Sequence, residues 1–266
     1  MLYGTQIHPA PIASFVTNPT PAQVCLGQGI LFTDNSAGTI VKSIFYYGDG
    51  IVDTTLSENH LYTSASSYTA IHAVIDNNNC ISVNNPSFPV LIDPIPSVTA
   101  GTDKYVVVGD STILNEVIVN ANNFTSWWTS NGANQYLNNP SLLNPVFNAI
   151  DTGYFTYTLH VKSQAGCTAT DDINIIVLNP PIIPNVFSPN GDGIHDTWDL
   201  RFLNKYPGAT VKVFNRYGQL IYNVIGYAIQ WDGKVNGADL PIGTYFYIIS
   251  PKNGLKDLVG SVTIIR

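Results

Sequence analysis

The alternation of apolar and polar positions sets the secondary structure this chain predicts. Tyr68, Ala70, His72 and Val74 alternate with Thr69, Ile71 and Ala73, and Phe155, Tyr157, Leu159 and Val161 alternate with Thr156, Thr158 and His160. A period of two puts successive side chains on opposite faces of a strand. Turn signals break the strands: Gly48-Asp49-Gly50, Asn131-Gly132, Asp192-Gly193, Asp232-Gly233, Asn236-Gly237 and Asn253-Gly254. No segment has the period of an amphipathic helix, and none approaches the roughly 18 consecutive apolar residues of a membrane-spanning helix. The predicted class is all-β.

The pattern repeats. VCLG around Cys25 matches VVVG around Val107 at an offset of 82, and the same offset lays KSIFYYGDG (42–50) over TSWWTSNG (125–132). YTAIHAVIDNNNC (68–80) matches FTYTLHVKSQAGC (155–167) at an offset of 87. Two successive modules of about 85 residues follow, a length suited to a β-sandwich. Three proline-rich linkers, QIHPAPIASF (6–15), LIDPIPSV (91–98) and VLNPPIIPNVF (177–187), mark the joints. Proline gives up its ladder donor and extends its predecessor, so such steps end one sheet and stiffen the passage to the next. The expected organisation is a remnant strand and linker at 1–10, a sandwich at 11–95, a second at 96–181 and a third module at 182–266. The start, MLYGTQIHPAP, has no basic region before an apolar run, so the chain is expected to be part of a longer exported protein.

Composition supports strands and narrows the function. Charged residues make up only 11% of the 266, Glu occurs only at Glu58 and Glu116, and Asn, Thr, Val, Ile, Tyr, Gly and Pro fill the gap. Residues 1–183 hold 12 acids and 3 bases, which argues against nucleic acid as a partner; residues 184–266 hold 6 acids and 8 bases, marking a different kind of module. Cys25, Cys80 and Cys167 form no CxxC pair, so a zinc site is not indicated.

Phe45-x-Tyr47-Gly48-Asp49-Gly50, His60-x-Tyr62 and Tyr68-Thr69 resemble the PKD domain, an Ig-like sandwich of surface proteins. The second module is a divergent relative, with Pro145-Val146-Phe147 in place of the His-x-Tyr corner. The resemblance implies a Cys25–Cys80 disulfide, by similarity to a cysteine pair common in such modules of gliding bacteria, and leaves Cys167 as a buried free thiol. Trp127 and Trp128 are adjacent, so one points inward and one outward, and the outward ring is a candidate for stacking on a sugar.

The last module carries the ordered motifs Pro184-Asn185-Val186-Phe187-Ser188-Pro189-Asn190-Gly191-Asp192-Gly193, His195-Asp196, Trp198, Tyr206-Pro207, Val213-Phe214-Asn215-Arg216-Tyr217-Gly218, Trp231-Asp232-Gly233, Leu240-Pro241-x-Gly243-Thr244-Tyr245 and the run from Gly260 to Arg266. By these motifs residues 184–266 resemble, over their full length, the gliding-motility-associated C-terminal domain, the type B sorting signal of type IX secretion. His195 and Tyr217 depart from the family's usual Asn and Trp. The resemblance implies export through the type IX outer-membrane translocon. It also implies retention at the cell surface of a gliding-type Gram-negative bacterium, with an outer-membrane β-barrel of the PorP/SprF kind as partner. Candidate recognition residues are Asn215, Arg216, Tyr217, Gly218, Trp231, Asp232, Gly233 and Arg266. The whole is expected to be three tandem Ig-like β-sandwich domains.

Asn190, Asp192 and Asp196 stand at spacings that fit either part of a calcium loop or an Asx-turn network. Arg201 occupies the position where a calcium loop carries its bidentate Glu, which favours the turn network. Otherwise no cofactor is indicated. There is no GxSxG, HExxH or Walker loop, so no enzymatic role is expected. The leading expectation is the C-terminal region of a surface adhesin of the SprB kind, meeting an unknown surface ligand or polysaccharide. Its alternatives are the accessory tail of a secreted hydrolase and a carbohydrate-binding module.

Overall fold

The computed structural model of the chain describes residues 8–115, 117–119, 123–132, 134–252 and 254–266. The remnant strand expected at 2–7 lies outside them. Among the described residues the regular elements are strands and two short 3-10 turns, Asn134–Tyr136 and Leu203–Lys205. Among them no helix is long and apolar enough to cross a membrane. By internal contacts the chain forms two compact units. One is Met1–Thr99 with Val117–Ser126 and His160–Thr170; the other is Ala100–Glu116 with Trp127–Leu159 and Asp171–Arg266.

Residues 15–93 form two sheets. One has the order Phe15–Asn18, Gly29–Asp34, Ser57–Leu61; the other has the order Gln23–Cys25, Ser87–Asp93, Ser67–Asp76, Ile40–Tyr46, Val52–Asp53. Phe15, Ile30 and Phe32 from the first meet Phe45, Ala70, Val90 and Ile92 from the second in one buried cluster, which makes the pair a sandwich. The short strand Gln23–Cys25 runs parallel to the last strand, with Cys25 opposite Asp93. The predicted corner is present. Tyr62 donates its hydroxyl to the Tyr47 carbonyl at 2.9 Å, and His60 lies 2.7 Å from Asp49 and stacks on Tyr47 at 3.8 Å.

Residues 97–178 repeat the parallel pairing. Lys104–Val107 runs beside Thr168–Leu178, in a sheet of order Lys104–Val107, Thr168–Leu178, Gly153–Ser163, Phe124–Ser130. Two short ladders accompany it, Ser111–Ile113 with Val146–Asn148 and Val117–Val119 with Ser97–Thr99. The alternation read from the sequence at 155–161 is borne out: Tyr157, Leu159 and Val161 are fully buried.

Residues 186–264 form one five-stranded sheet of order Val186–Phe187, Leu258–Ile264, Gly243–Ser250, Thr210–Phe214, Leu220–Ile225, its first strand again parallel to its last. The facing layer is mostly irregular. It consists of the hairpin Lys234–Val235 with Ala238–Asp239, the 3-10 turn Leu203–Lys205, and the bridges Ile182 to Arg201 and Trp198 to Trp231. The core between the layers holds Phe187, Trp198, Leu203, Tyr206, Val211, Val213, Trp231, Ile249, Val262 and Ile264. Leu178 and Ile183 pack against it, and Tyr206 donates its hydroxyl to the Asn179 carbonyl at 2.5 Å. Among the described residues no strand ladder joins the segments 15–93, 97–178 and 186–264 to one another.

The disulfide inferred from the family resemblance is corrected here. Cys25 bonds to Cys167, with Sγ atoms 2.00 Å and Cα atoms 5.6 Å apart, and Cys80 is the free thiol. Strand order explains this. Cys25 sits at the end of the sheet where Ser67–Asp76 begins, since Gln23 and Ser67 both pair with Leu91. Cys80 follows the far end of that ten-residue strand, which at about 3.3 Å per residue puts the two cysteines roughly 30 Å apart. Cys167 is buried, as expected, but as a disulfide half rather than a thiol.

Candidate functional site

The sequence motifs of residues 184–266 come together around two tryptophans. Trp198 and Trp231 are both buried, with rings 6.2 Å apart near a right angle. Trp198 donates its indole N–H to the Pro184 carbonyl at 2.7 Å and its backbone N–H to the Trp231 carbonyl at 2.8 Å. Tyr227 closes the group: its hydroxyl donates to the Trp198 carbonyl at 2.7 Å and accepts the Trp231 backbone N–H at 3.0 Å. Burial raises the Tyr227 phenol well above its ordinary value, so it stays a neutral donor. Tyr227 belongs to none of the motifs read from the sequence.

The loop 190–196 satisfies itself. Asp196 accepts Gly191 N–H at 2.7 Å and Gly193 N–H at 2.8 Å, which holds its carboxyl below the ordinary range. Asp192 accepts Ile194 N–H at 2.7 Å and the Asn190 side-chain amide at 2.9 Å, while Asn190 accepts Asp192 N–H at 3.1 Å. This is an Asx-turn network, with these side-chain oxygens turned onto the loop's own donors. Among the described residues no three His, Cys, Asp or Glu side chains are placed to hold a metal ion.

The recognition candidates divide sharply. Trp231 is 1% exposed and belongs to the core. Gly233 is buried with φ +76°, and a Cβ there would lie 3.2 Å from Ile264 Cδ1 and Pro189 Cγ and 3.3 Å from Phe187 Cζ. Neither can meet a partner, because the aromatic and aliphatic packing of this module surrounds both. Asp232 accepts the Lys234 N–H at 3.1 Å and shapes a turn. Asn215 organises the hairpin, accepting Tyr217 N–H at 2.9 Å and Gln219 N–H at 3.0 Å on its side chain and Gly218 N–H at 2.9 Å on its carbonyl. Arg266 donates to the Leu240 carbonyl at 2.7 Å and pairs with Asp239 at 3.4 Å, which ties the last residue to the loop before Gly243–Ser250. Only Arg216 and Tyr217 face solvent without a structural hydrogen bond from their side chains to the fold. The guanidinium lies 4.8 Å over the Tyr217 ring and donates to its hydroxyl at 2.6 Å, and Tyr217 is 73% exposed.

Arg216 borders an apolar surface that the motifs alone do not reveal. On the outer side of the sheet, Phe246 pairs with Phe214 and Ile248 pairs with Lys212. Phe214, Arg216, Phe246 and Ile248 line a shallow depression, and Phe246 is 50% exposed. The strands Thr210–Phe214, Leu220–Ile225, Gly243–Ser250 and Leu258–Ile264 contain no acidic residue. The signal available in the sequence was the alternation in Gly243–Ser250, where Phe246 and Ile248 stand apolar on the face away from the core.

Elsewhere, Trp128 is 2% exposed with its indole N–H on the Leu143 carbonyl at 3.2 Å, so it cannot stack on a sugar; Trp127 is the half-exposed member of the pair. His72 and Ser43 are fully buried with Nε2 and Oγ 2.7 Å apart, and Asp34 is 3.9 Å from the same nitrogen. The Phe15 and Phe45 rings flank the imidazole, 5.4 and 4.3 Å away.

The strands thus define a chain of tandem Ig-like β-sandwich modules. Residues 181–264 match the family model of the CHU_C type IX secretion signal domain. Solved structures similar to parts of the chain include the PKD1 domain of the metalloprotease PrtV from Vibrio cholerae, at 23% identity over 32% of this chain and 99% of that one, with a TM-score of 0.27. The PKD1 domain of Vibrio anguillarum Epp is 21% identical over 32% of this chain and 96% of that one, with a TM-score of 0.26. The fibronectin(III)-like modules of Clostridium thermocellum CbhA are 12% identical over 62% and 94%, with a TM-score of 0.33. No curated protein matches the chain. The match of residues 181–264 to a type IX secretion signal domain implies an exported protein that meets the type IX machinery.

Proposed function

We propose that this chain is the stalk and sorting end of a surface-held adhesin: two non-catalytic spacer sandwiches followed by a domain that directs export and then keeps the protein on the cell. The match of 181–264 to a type IX secretion signal domain carries the reading. Within that domain, the outer face bearing Lys212, Phe214, Arg216, Tyr217, Phe246 and Ile248 is the surface offered to an outer-membrane β-barrel of the PorP/SprF kind. Its exposed apolar side chains and its lack of acids suit a partner that presents apolar and anionic groups. The full burial of Ser43 and His72 supports a first sandwich in which this pair is structural.

The test is a co-purification of the barrel partner with the exported chain from cells. Arg216→Glu with Phe246→Ser reduces recovery of the barrel at least tenfold while leaving the domain folded by circular dichroism. Unchanged recovery moves the contact off this face.

A further inference from the structure

The Cys25–Cys167 bond closes a covalent loop with a sequence separation of 142 residues. When the chain is pulled from before Cys25 and held beyond Cys167, tension follows the shortest covalent path. That path crosses the sulfur–sulfur bond and leaves the loop unloaded. We propose that this disulfide is a load bypass, carrying tension past most of the first sandwich and most of the second so that the strands between the two cysteines bear none of the pull. The proposal rests on the surface-held reading above, since only a chain held at one end and loaded at the other bears tension.

The strands that the bypass spares run from Gly29–Asp34 to Ser87–Asp93 and from Ser97–Thr99 to Gly153–Ser163. Those left in the path are Phe15–Asn18, Gln23–Cys25, Thr168–Leu178 and the secretion signal domain. Each end of the bridge is fixed locally. Cys25 ends a strand paired to Ser87–Asp93, donates its N–H to Gln28 Oε1 at 3.1 Å and accepts Gln28 N–H at 2.9 Å. Cys167 closes the hairpin between Gly153–Ser163 and Thr168–Leu178. It donates its N–H to Ser163 Oγ at 3.1 Å and accepts Ser163 N–H at 2.9 Å. Cys167 is 2% exposed, which screens its side of the bond from thiols, and export supplies a compartment in which disulfides persist.

Single-molecule force extension of the full chain, held by handles at its two ends, tests this with and without a dithiol reductant. An extended chain spans at most about 3.5 Å per residue, so the loop hides roughly 500 Å. The oxidised chain is expected to extend about half as far as the reduced one. The double variant Cys25→Ser, Cys167→Ser is expected to reach the reduced length without reductant, which separates the bond from other effects of the reagent. Equal lengths in oxidised and reduced chains overturn the proposal. So does a gain of only roughly 190 Å, the length a Cys25–Cys80 loop would hide. The measurement uses purified protein, so its result stands apart from any failure of surface attachment in cells.

Discussion

Replacing Gly233 by alanine separates a motif that is recognised from one that packs. The added methyl meets two costs. The backbone at φ +76° lies in the left-handed region, which is unfavourable for alanine by about 1–2 kcal/mol. The methyl also presses on Ile264, Pro189 and Phe187 at 3.2–3.3 Å, contacts that these side chains relieve only by shifting, for about 1 kcal/mol more at the low end of overpacking. Gly237 is the control: it has φ +80° and nothing within 4 Å of the place a methyl would take, so Gly237→Ala carries the backbone cost alone. Hydrogen exchange of peptides from residues 186–264 reads the two variants against the parent, which avoids treating a multidomain chain as one transition. Gly233→Ala is expected to lower protection of Leu258–Ile264 by about 2–3 kcal/mol, and Gly237→Ala by about 1–2 kcal/mol. Equal losses in the two variants refute the packing role given to Gly233.

Further expectations follow from the same geometry. His72 is held neutral because burial lowers its pKa, against the opposing pull of Asp34 and the Ser14 carbonyl. Below an ordinary value near 6.5 the unfolded chain takes up a proton that the folded chain resists, so stability is full above that pH and falls beneath it. Melting of the first sandwich between pH 7.5 and 5 is expected to show this fall, and His72→Gln to flatten it; equal slopes refute it. Alkylation of the native, unreduced protein is expected to label one cysteine, Cys80, and peptide mapping to recover Cys25 linked to Cys167; a Cys25–Cys80 peptide contradicts the pairing. Arg216→Ala and Tyr217→Ala are expected to change stability by less than about 0.5 kcal/mol, whereas Asn215→Ala costs about 1–2 kcal/mol by removing the side-chain acceptor of two backbone N–H groups. Urea unfolding of the three variants checks that order.

What was legible in the sequence was whatever local pattern encodes. Alternation at 68–74 and 155–161 exposed two of the three longest strands because a half-buried strand must alternate. The secretion domain was recognisable because its motifs are ordered and spaced along one segment. Pairing between distant strands was not. Each of the three segments lays a short early strand parallel to its last strand, and local sequence does not encode that neighbour. The cysteines failed for this reason: Cys80 and Cys167 occupy matching places in the repeat, and only strand order shows that Cys25 lies at the opposite end of its sheet from Cys80. Motifs also conceal the difference between packing and recognition. Trp231-Asp232-Gly233 and Asn215-Arg216-Tyr217-Gly218 read alike as signatures, yet the first is buried core and turn while the second presents two side chains to solvent. Tyr227 was missed because its two partners, Trp198 and Trp231, meet it only after the facing layer has closed.

Grafting the secretion domain onto a foreign cargo asks whether these residues suffice as an export signal. Residues 179–266, begun at Asn179 because its carbonyl holds Tyr206, are fused to a fluorescent protein targeted to the periplasm. Hosts with and without the type IX translocon are compared for reporter that protease can reach on intact cells. Accessible reporter is expected only where the translocon is present. Reporter confined to the periplasm in both hosts, with the domain folded, contradicts it.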